Sequence, residues 1–371
     1  MTTPRIPKQS PQQAPLQVAL IGYGGAGRIF HAPLISGVPG LQLACIVSSQ
    51  SDAVQRDWPG VCCVASASQA MADPAIDLVV IATPNGSHFQ LAQAALQAGK
   101  HVVVDKPCTV TLAETEALLE LARRQGRVLT VFQNRRFDSD FLALRQVIES
   151  GQLGRVVQVD SHFDRYRPSV PVRWREQDLP GSGLWFDLGP HLVDQAVVLF
   201  GWPDALLLEQ ANLREGAQVN DWFHAVLRYD SRHGGLRVIL YASTLVAEQG
   251  PRWVAHGTQG SFTKFGLDVQ EESLKAGQRP QLEAIDGWGQ DPQPGHLLRM
   301  EVIPGVSTPV SVRTETPAPP GNYLAYYAQL RDYLWGLAPQ PGVTAAQVHA
   351  VMQLLTLGTQ SATEGRFVAV T

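Results

Sequence analysis

Lys106, Asp187 and His191 are the residues of this 371-residue chain best suited by type and setting to move a proton. Lys106 ends the apolar run "VVVDKP". A lysine leaving a buried strand can have its pKa lowered, which suits a proton carrier or a donor to a substrate oxygen. A surface lysine opening a loop is the plainer alternative. "WFDLGPHLVDQ" carries Asp187, His191 and Asp194 at i, i+4 and i+7, on one face of a helix. Pro190 fits only a first turn, so Asp187 is expected just ahead of the helix or at its cap. An imidazole titrating near ~6.5 can take a hydroxyl proton at neutral pH. Asp187 would then orient substrate hydroxyls or the ring, and Lys106 would polarise a carbonyl oxygen in the reverse direction. No further Cys, His or Glu is spaced to complete a metal site around this set, and no metal is expected.

A proton taken from an alcohol needs a partner that takes the hydride, and the start of the chain offers a place for one. In "VALIGYGGAG" a short apolar strand runs into Gly22, Gly24 and Gly27, the pattern G-x-G-x-x-G. Three glycines cost backbone entropy and need a geometric reason. A pyrophosphate supplies one: a tight turn at Gly22, close backbone approach at Gly24, and helix packing at Gly27. After the second strand, "CIVSSQSD" has Ser48, Ser49 and Gln50 where an acid would bind a ribose 2′-hydroxyl. Two hydroxyls suit a 2′-phosphate, and Arg28 or Arg56 would add charge, so NADP is expected. Asp52 keeps NAD as the alternative. "ATPNGSHF" places Asn85 and His88 between a strand and a helix, where ligands bind in such folds. A turn with Asn85 as its Asx residue and His88 in the first helical turn is the structural alternative.

These segments need a scaffold, and the hydrophobic pattern describes one. From Leu16 to Phe137 the runs "LQVALI", "LQLACIV", "IDLVVIATP", "HVVVDKP" and "RVLTVFQ" alternate with helical patterns that end in glycine. Strand, helix, strand implies right-handed crossovers and a parallel sheet, an α/β dinucleotide-binding domain over 16–137. From Asp138 to the end the pattern is of successive strands, with Trp222, His224, Val226 and Arg228 alternating against Phe223, Ala225, Leu227 and Tyr229. Short gaps such as "DSRHGG" favour antiparallel pairing. Two closing helices, the second capped by Thr344, complete an α+β domain over 138–371 built on a large open, mainly antiparallel sheet.

A net charge of −4, with 29 basic and 33 acidic residues, argues against nucleic acid or an anionic membrane as partner. Residues 1–15 are Pro/Gln-rich and read as a disordered tail, not a signal peptide. No stretch is apolar for long enough to span a bilayer. Cys45, Cys62, Cys63 and Cys108 lack metal-ligand spacing and read as buried free thiols of a reducing, cytoplasmic setting.

Taken in order, "GYGGAG", "ATPNGSH", "AGKHVVVDKP" and "WFDLGPHLVDQ" resemble the Gfo/Idh/MocA family of NAD(P)-dependent oxidoreductases, from Leu16 to the C-terminus. "NRRFDSDF", "SHFDRYRPSVPVRWREQ" and "GPHLVDQAVVLFG" look most like its branch of NADP-dependent scyllo-inositol dehydrogenases. Asp105-Lys106-Pro107 replaces the family's E-K-P triplet, a conservative departure. The resemblance implies Lys106, Asp187 and His191 as catalytic trio. It implies cofactor contacts from the glycine loop (Gly22, Tyr23, Gly24, Ala26, Gly27, Arg28), from Ser48, Ser49, Thr83, Pro84, Asn85, His88, Asp105 and Lys106, and from Asn134 and Arg135 near the nicotinamide. Arg165, Tyr166, Arg173 and Trp174 fall where that branch contacts substrate or cofactor; as structure, Trp174 would be core and the arginines ion-paired surface. The expected activity is hydride transfer between NADP(H) and a cyclic polyol or sugar, with another sugar, ketone or diketone as alternative. A catalytically silent nucleotide-binding sensor is the third reading. The open sheet is expected to pack on another subunit, giving a homodimer or homotetramer.

Overall fold

In a computed structural model that describes residues 13–230, 233–301, 304 and 308–370, the chain builds two sheets with helices laid against each. The first half alternates: β1 Leu16–Ile21, α1 Ala32–Ser36, β2 Leu41–Val47, α2 Ser51–Asp57, β3 Cys62–Val64, α3 Ala67–Ala72. It continues with β4 Leu78–Ile81, α4 His88–Gln97, β5 His101–Val104, α5 Leu112–Gln125 and β6 Leu129–Val131. All pairs are parallel, in the order β3-β2-β1-β4-β5-β6. Every residue of β4 is fully buried, as a strand covered on both faces must be. The order reverses beside β1, which opens a crevice at the carboxyl ends of β1 and β4. Helix α5 starts on a Thr111/Glu114 capping box and stops at Gly126, whose φ of +61° is left-handed.

The second half runs α6 Ser139–Glu149, β7 Val156–Asp164, α7 Leu184–Phe200, β8 Ala205–Ala211, β9 Trp222–Tyr229 and β10 Leu236–Ser243. Then come β11 Trp253–Gly257, β12 Gly260–Lys264, α8 Gln270–Lys275, β13 Gly295–Glu301, β14 Val310–Thr316, α9 Leu324–Leu334, α10 Ala345–Glu364 and β15 Val368–Ala369. The nine strands are ordered β14-β13-β12-β11-β7-β10-β9-β8-β15, antiparallel everywhere except between β7 and β10. Helix α7 covers one face at β9 and β10, burying Phe223, Ala225, Leu227 and Tyr229. Trp222, His224, Val226 and Arg228 lie half-buried on the other face. Thr344 and Gln347 form a capping box at the start of α10. The last two helices return to the first half: α10 packs on α5 and α9 on α1, where Tyr326, Tyr327, Phe132 and His31 make one ring cluster.

Several details depart from the sequence reading. Strand β3 has three residues at a sheet edge, too few to show a period. "RWVAHGTQGSFTKFG" is two antiparallel strands, β11 and β12, reversing at Thr258 and Gln259. Strands β13 to β15 carry weak apolar alternation because they lie toward the sheet's edges, β14 being mostly exposed. The thiols are not all buried: Cys45 and Cys108 are, Cys63 is half-buried, and Cys62 is exposed on the edge strand. Residues 1–12 of the expected tail lie outside the described residues.

Candidate active site

The chemistry-bearing segments of the first half follow the carboxyl ends of β1, β2, β4, β5 and β6, and α7 brings Asp187 and His191 to them. Two of the glycines fix the loop after β1. Gly22 has φ +98°, and a Cβ there would come 2.6 Å from the Ala82 carbonyl oxygen; at Gly27 it would come 2.0 Å from that of Gly22. At Gly24 and Gly25 a Cβ would meet nothing within 4 Å. The turn is thus locked at its ends and bare in the middle, a backbone cradle that fits the pyrophosphate of a nicotinamide dinucleotide.

A cleft of about 560 Å³ lies outside this loop, between Tyr23, Arg28 and Trp58 and the segment Leu274–Arg279. Asp57 organises its rim. It accepts from Tyr23 Oη at 3.0 Å and pairs with Arg28 at 2.8 Å and Arg56 at 3.2 Å. Burial and the Asp57 carboxylate push the Tyr23 phenol up to about 12. Both arginines expected to serve a 2′-phosphate are therefore ion-paired, although Arg28 still lines the cleft. Ser48 is half-buried and accepts from the Gln50 amide at 3.0 Å; Ser49 is exposed beside it. Asp52 lies in the first turn of α2.

A second cleft of about 290 Å³ adjoins the first, sharing Gly25, Ile29 and Lys275. Ala26, Asp105, Lys106, Asn134, Arg135, Asp187 and His191 all line it. Lys106 Nζ donates to Asp187 Oδ1 at 2.9 Å and to the Asp187 main-chain oxygen at 2.5 Å. Burial alone would raise the Asp187 carboxyl, but Lys106, Arg175 and Arg165 hold it well below the usual carboxylate range. His191, one helical turn on, is 6% exposed, and its Nδ1 is buried without a partner. Burial first, then the charges of Lys106 and Arg135, hold its pKa well below 6.5. The imidazole is a neutral base at pH 7, further from its titration than the sequence alone implied.

Helix α7 also starts earlier than its proline implied. Gly183, at φ +86°, precedes it, and Asn220 caps the first turn through Leu184 N (2.7 Å) and Trp185 N (2.8 Å). Asp187 is therefore inside the helix, and Pro190 sits a turn further in, costing only the bond to the Phe186 carbonyl. Asp194 shares the helical face but not the cleft: it clamps Arg136 through two bonds of 2.7 and 2.6 Å. Among the described residues no cluster of three or more His, Cys, Asp or Glu is placed to hold a metal.

The remaining expected residues divide between cleft and scaffold. Thr83 Oγ1 bonds Ser87 at 2.7 Å, Pro84 is exposed, and Asn85 Nδ2 donates to the Gly181 carbonyl at 3.0 Å. His88 is fully buried, with its ring nitrogens 2.9 and 3.0 Å from the carbonyls of Thr83 and Pro107. It ties two loops together and does not line either cleft. Arg135 is ion-paired with Glu271 at 2.7 Å, while Arg165 reaches the cleft 3.8 Å from Asp187. Arg173 lines the cleft but pairs with Glu176 at 2.6 Å. Tyr166 is 59% exposed, and Trp174 is half-buried under the Arg175 guanidinium, 4.7 Å away. Sequence reasoning missed Arg167, Arg175, Glu271 and Lys275, all lining the cleft. The signal for the arginines was there: Arg165-x-Arg167 and Arg173-x-Arg175 repeat at two residues, the spacing that puts extended side chains on one side.

Residues 16–133 match the model of the "Oxidoreductase family, NAD-binding Rossmann fold", and residues 141–263 that of the "GFO/IDH/MocA C-terminal domain". The chain is 52% identical to the uncharacterized oxidoreductase YdgJ of Escherichia coli K12, over 94% of this chain and 96% of that one. It is 38% identical to the scyllo-inositol 2-dehydrogenase (NADP(+)) IolW of Bacillus subtilis 168, over 95% of each. The solved structure of YPO2259 from Yersinia pestis, 48% identical, superposes with a TM-score of 0.89 over 96% of this chain and 98% of that one. With family models matching both halves and relatives 52% and 38% identical along nearly the whole chain, it belongs to the Gfo/Idh/MocA family of oxidoreductases.

Proposed function

We propose that this protein transfers hydride between NADP(H) and a hydroxyl-bearing carbon of a cyclic polyol or sugar. The observation that carries the reading is the assembly in the smaller cleft: Lys106 bonded at 2.9 Å to Asp187, with the neutral His191 one turn further along the same helix. Bound NADP+ supplies the hydride acceptor. The chain's own groups do the rest. His191 takes the hydroxyl proton as the alcohol is oxidised, which a neutral imidazole is ready to do. Lys106 donates a hydrogen bond to the same oxygen and stabilises it as a carbonyl forms; the ionised Asp187 holds that ammonium in place. Proton transfer of this kind contributes roughly 10²–10⁴-fold in rate.

The preference for NADP rests on the end of β2, where Ser48 and Ser49 replace the acid that would repel a 2′-phosphate. The Bacillus subtilis relative is named as an NADP+ enzyme. We further propose that the helix-free face of the nine-stranded sheet, with Trp222, His224 and Tyr241 half-buried on it, packs against a second copy in a dimer or tetramer.

The test is nicotinamide absorbance with NADP+ or NAD+ and a panel of inositols and aldoses. Reduction of NADP+ by a polyol, lost in both His191→Ala and Lys106→Ala, is the expected result. Tight cofactor binding with no turnover in either direction would overturn the reading in favour of a nucleotide sensor.

A further inference from the structure

The cations around the smaller cleft are not all matched. Arg135 is paired with Glu271, Arg173 with Glu176, and Lys275 with Glu271 and Glu272. Arg165, Arg167 and Arg175 differ. None of the three makes a side-chain hydrogen bond within the described residues. Arg165 and Arg175 approach Asp187 only to 3.8 and 3.6 Å, and Arg167 has no ion pair among the described residues. Together with Lys106 they bring four positive charges to a space whose otherwise uncommitted acids are Asp187 and Asp105, an excess of two. The chain as a whole is −4, so the excess is local.

Two of the three are also held in place, while Arg167 is exposed at the cleft's mouth. Arg165 stacks on Phe163 at 4.8 Å and Arg175 on Trp174 at 4.7 Å, with side chains only 20% and 33% exposed. Stacking uses the faces of the guanidinium groups and leaves their N–H edges free, which suits two-point recognition of a carboxylate or phosphate. Burial lowers the Arg165 pKa to about 10 even against the opposing pull of the Asp187 carboxylate. A neutral polyol entering here would strip water from the partly buried Arg165 and Arg175 and return only uncharged acceptors to them.

Building on the oxidoreductase reading, we propose that the substrate carries an anionic group, a carboxylate or phosphate, bound by Arg165, Arg167 and Arg175 while its hydroxyl faces His191. A sugar acid or polyol phosphate fits this site better than an uncharged polyol.

The test is calorimetric titration of the NADP+-saturated protein, whose cofactor phosphates already occupy their own cations. The probes are inorganic phosphate, myo-inositol 1-phosphate, glucuronate, and uncharged myo-inositol and glucose. At low salt one of the two anionic ligands is expected to bind at least about tenfold more tightly than its uncharged parent. Arg167→Gln and Arg175→Gln should each close most of that gap, as should 0.5 M NaCl. Preference for glucuronate identifies a carboxylate, preference for myo-inositol 1-phosphate a phosphate. Uncharged ligands binding as tightly as charged ones would overturn the proposal, as would inorganic phosphate matching the sugar phosphate, which marks a site for free anions. Turnover of neutral polyols without charge preference refutes the anion site and leaves the oxidoreductase reading standing. Arginine-dependent anion binding without any turnover does the reverse.

Discussion

Helix α7 carries two carboxylates seven residues apart, Asp194 buried and Asp187 half-buried, and they are treated in opposite ways. Asp194 is closed: Arg136 grips both its oxygens, and the same guanidinium is finished by the Gly342 carbonyl at 2.8 Å and Gln347 at 3.0 Å. Asp187 is open: one short bond from Lys106, two arginines held beyond hydrogen-bond reach, and a cleft in front of it. Both lie against cations, so charge pairing alone does not distinguish scaffold from site. Completeness does. A pair with nearly every donor spent anchors the α7–α10 packing, whereas an under-committed one keeps hydrogen-bonding capacity for a ligand.

That contrast breaks first at the open end. His191→Ala should lower turnover by roughly 10²–10⁴-fold while the melting temperature stays near wild type. Because burial already holds this imidazole well below 6.5, kcat/KM should also show no histidine limb near pH 6.5. A wild-type profile with an acid limb at that pH would contradict the neutral-base assignment. At the closed end, Asp194→Ala should remove about 3–5 kcal/mol of stability in urea unfolding by stranding Arg136. A loss below about 1 kcal/mol would mean that water reaches the guanidinium.

A second buried imidazole sharpens the comparison. His31 lies fully buried with Nδ1 2.6 Å from the Tyr327 hydroxyl, and burial lowers its pKa from 6.5 to about 4. The unfolded chain binds this proton first. Its contribution to stability is therefore complete above pH 6.5 and is lost as pH falls from 6.5 towards 4, by about 3 kcal/mol in all. Urea unfolding of wild type and His31→Gln across that range should show the variant with the flatter pH slope. The smallest expected effect is at the cofactor end, where Asp57 is closed by Tyr23, Arg28 and Arg56 but Ser49 is open. Ser49→Asp should weaken NADP+ relative to NAD+ by about tenfold, through repulsion of a 2′-phosphate. Unchanged selectivity in cofactor titrations would place the 2′-phosphate elsewhere.

Local signals carried the parallel sheet, the glycine turn and the lysine at the end of β5 into view, because each is a short-range pattern of burial or backbone geometry. The start of α7 did not read correctly, since Asn220, far along the chain, caps its first turn. Asp194 was legible as a neighbour of His191 on the helix but not as the partner of Arg136, 58 residues away. His88 read as a ligand contact because its loop faces the crevice, yet two main-chain carbonyls claim its ring. Glu271 and Lys275 were invisible for the same reason: a six-residue helix with no marked pattern reaches the cleft only through tertiary packing. Side chains that end up in long-range pairs announce themselves by type but not by destination.

That short helix has a thermodynamic consequence. The segment from Leu274 to Arg279 faces the glycine loop across the larger cleft, and Lys275 belongs to both clefts. A ligand bound there would touch both halves of the chain at once, so its binding free energy would favour the state in which they are packed together. By mass action, a ligand at 100 times its Kd adds about 2.7 kcal/mol to whatever cooperative unit it bridges. A ligand spanning the two halves would then act as a removable joint between them, tightening a contact the chain already makes through α9 and α10.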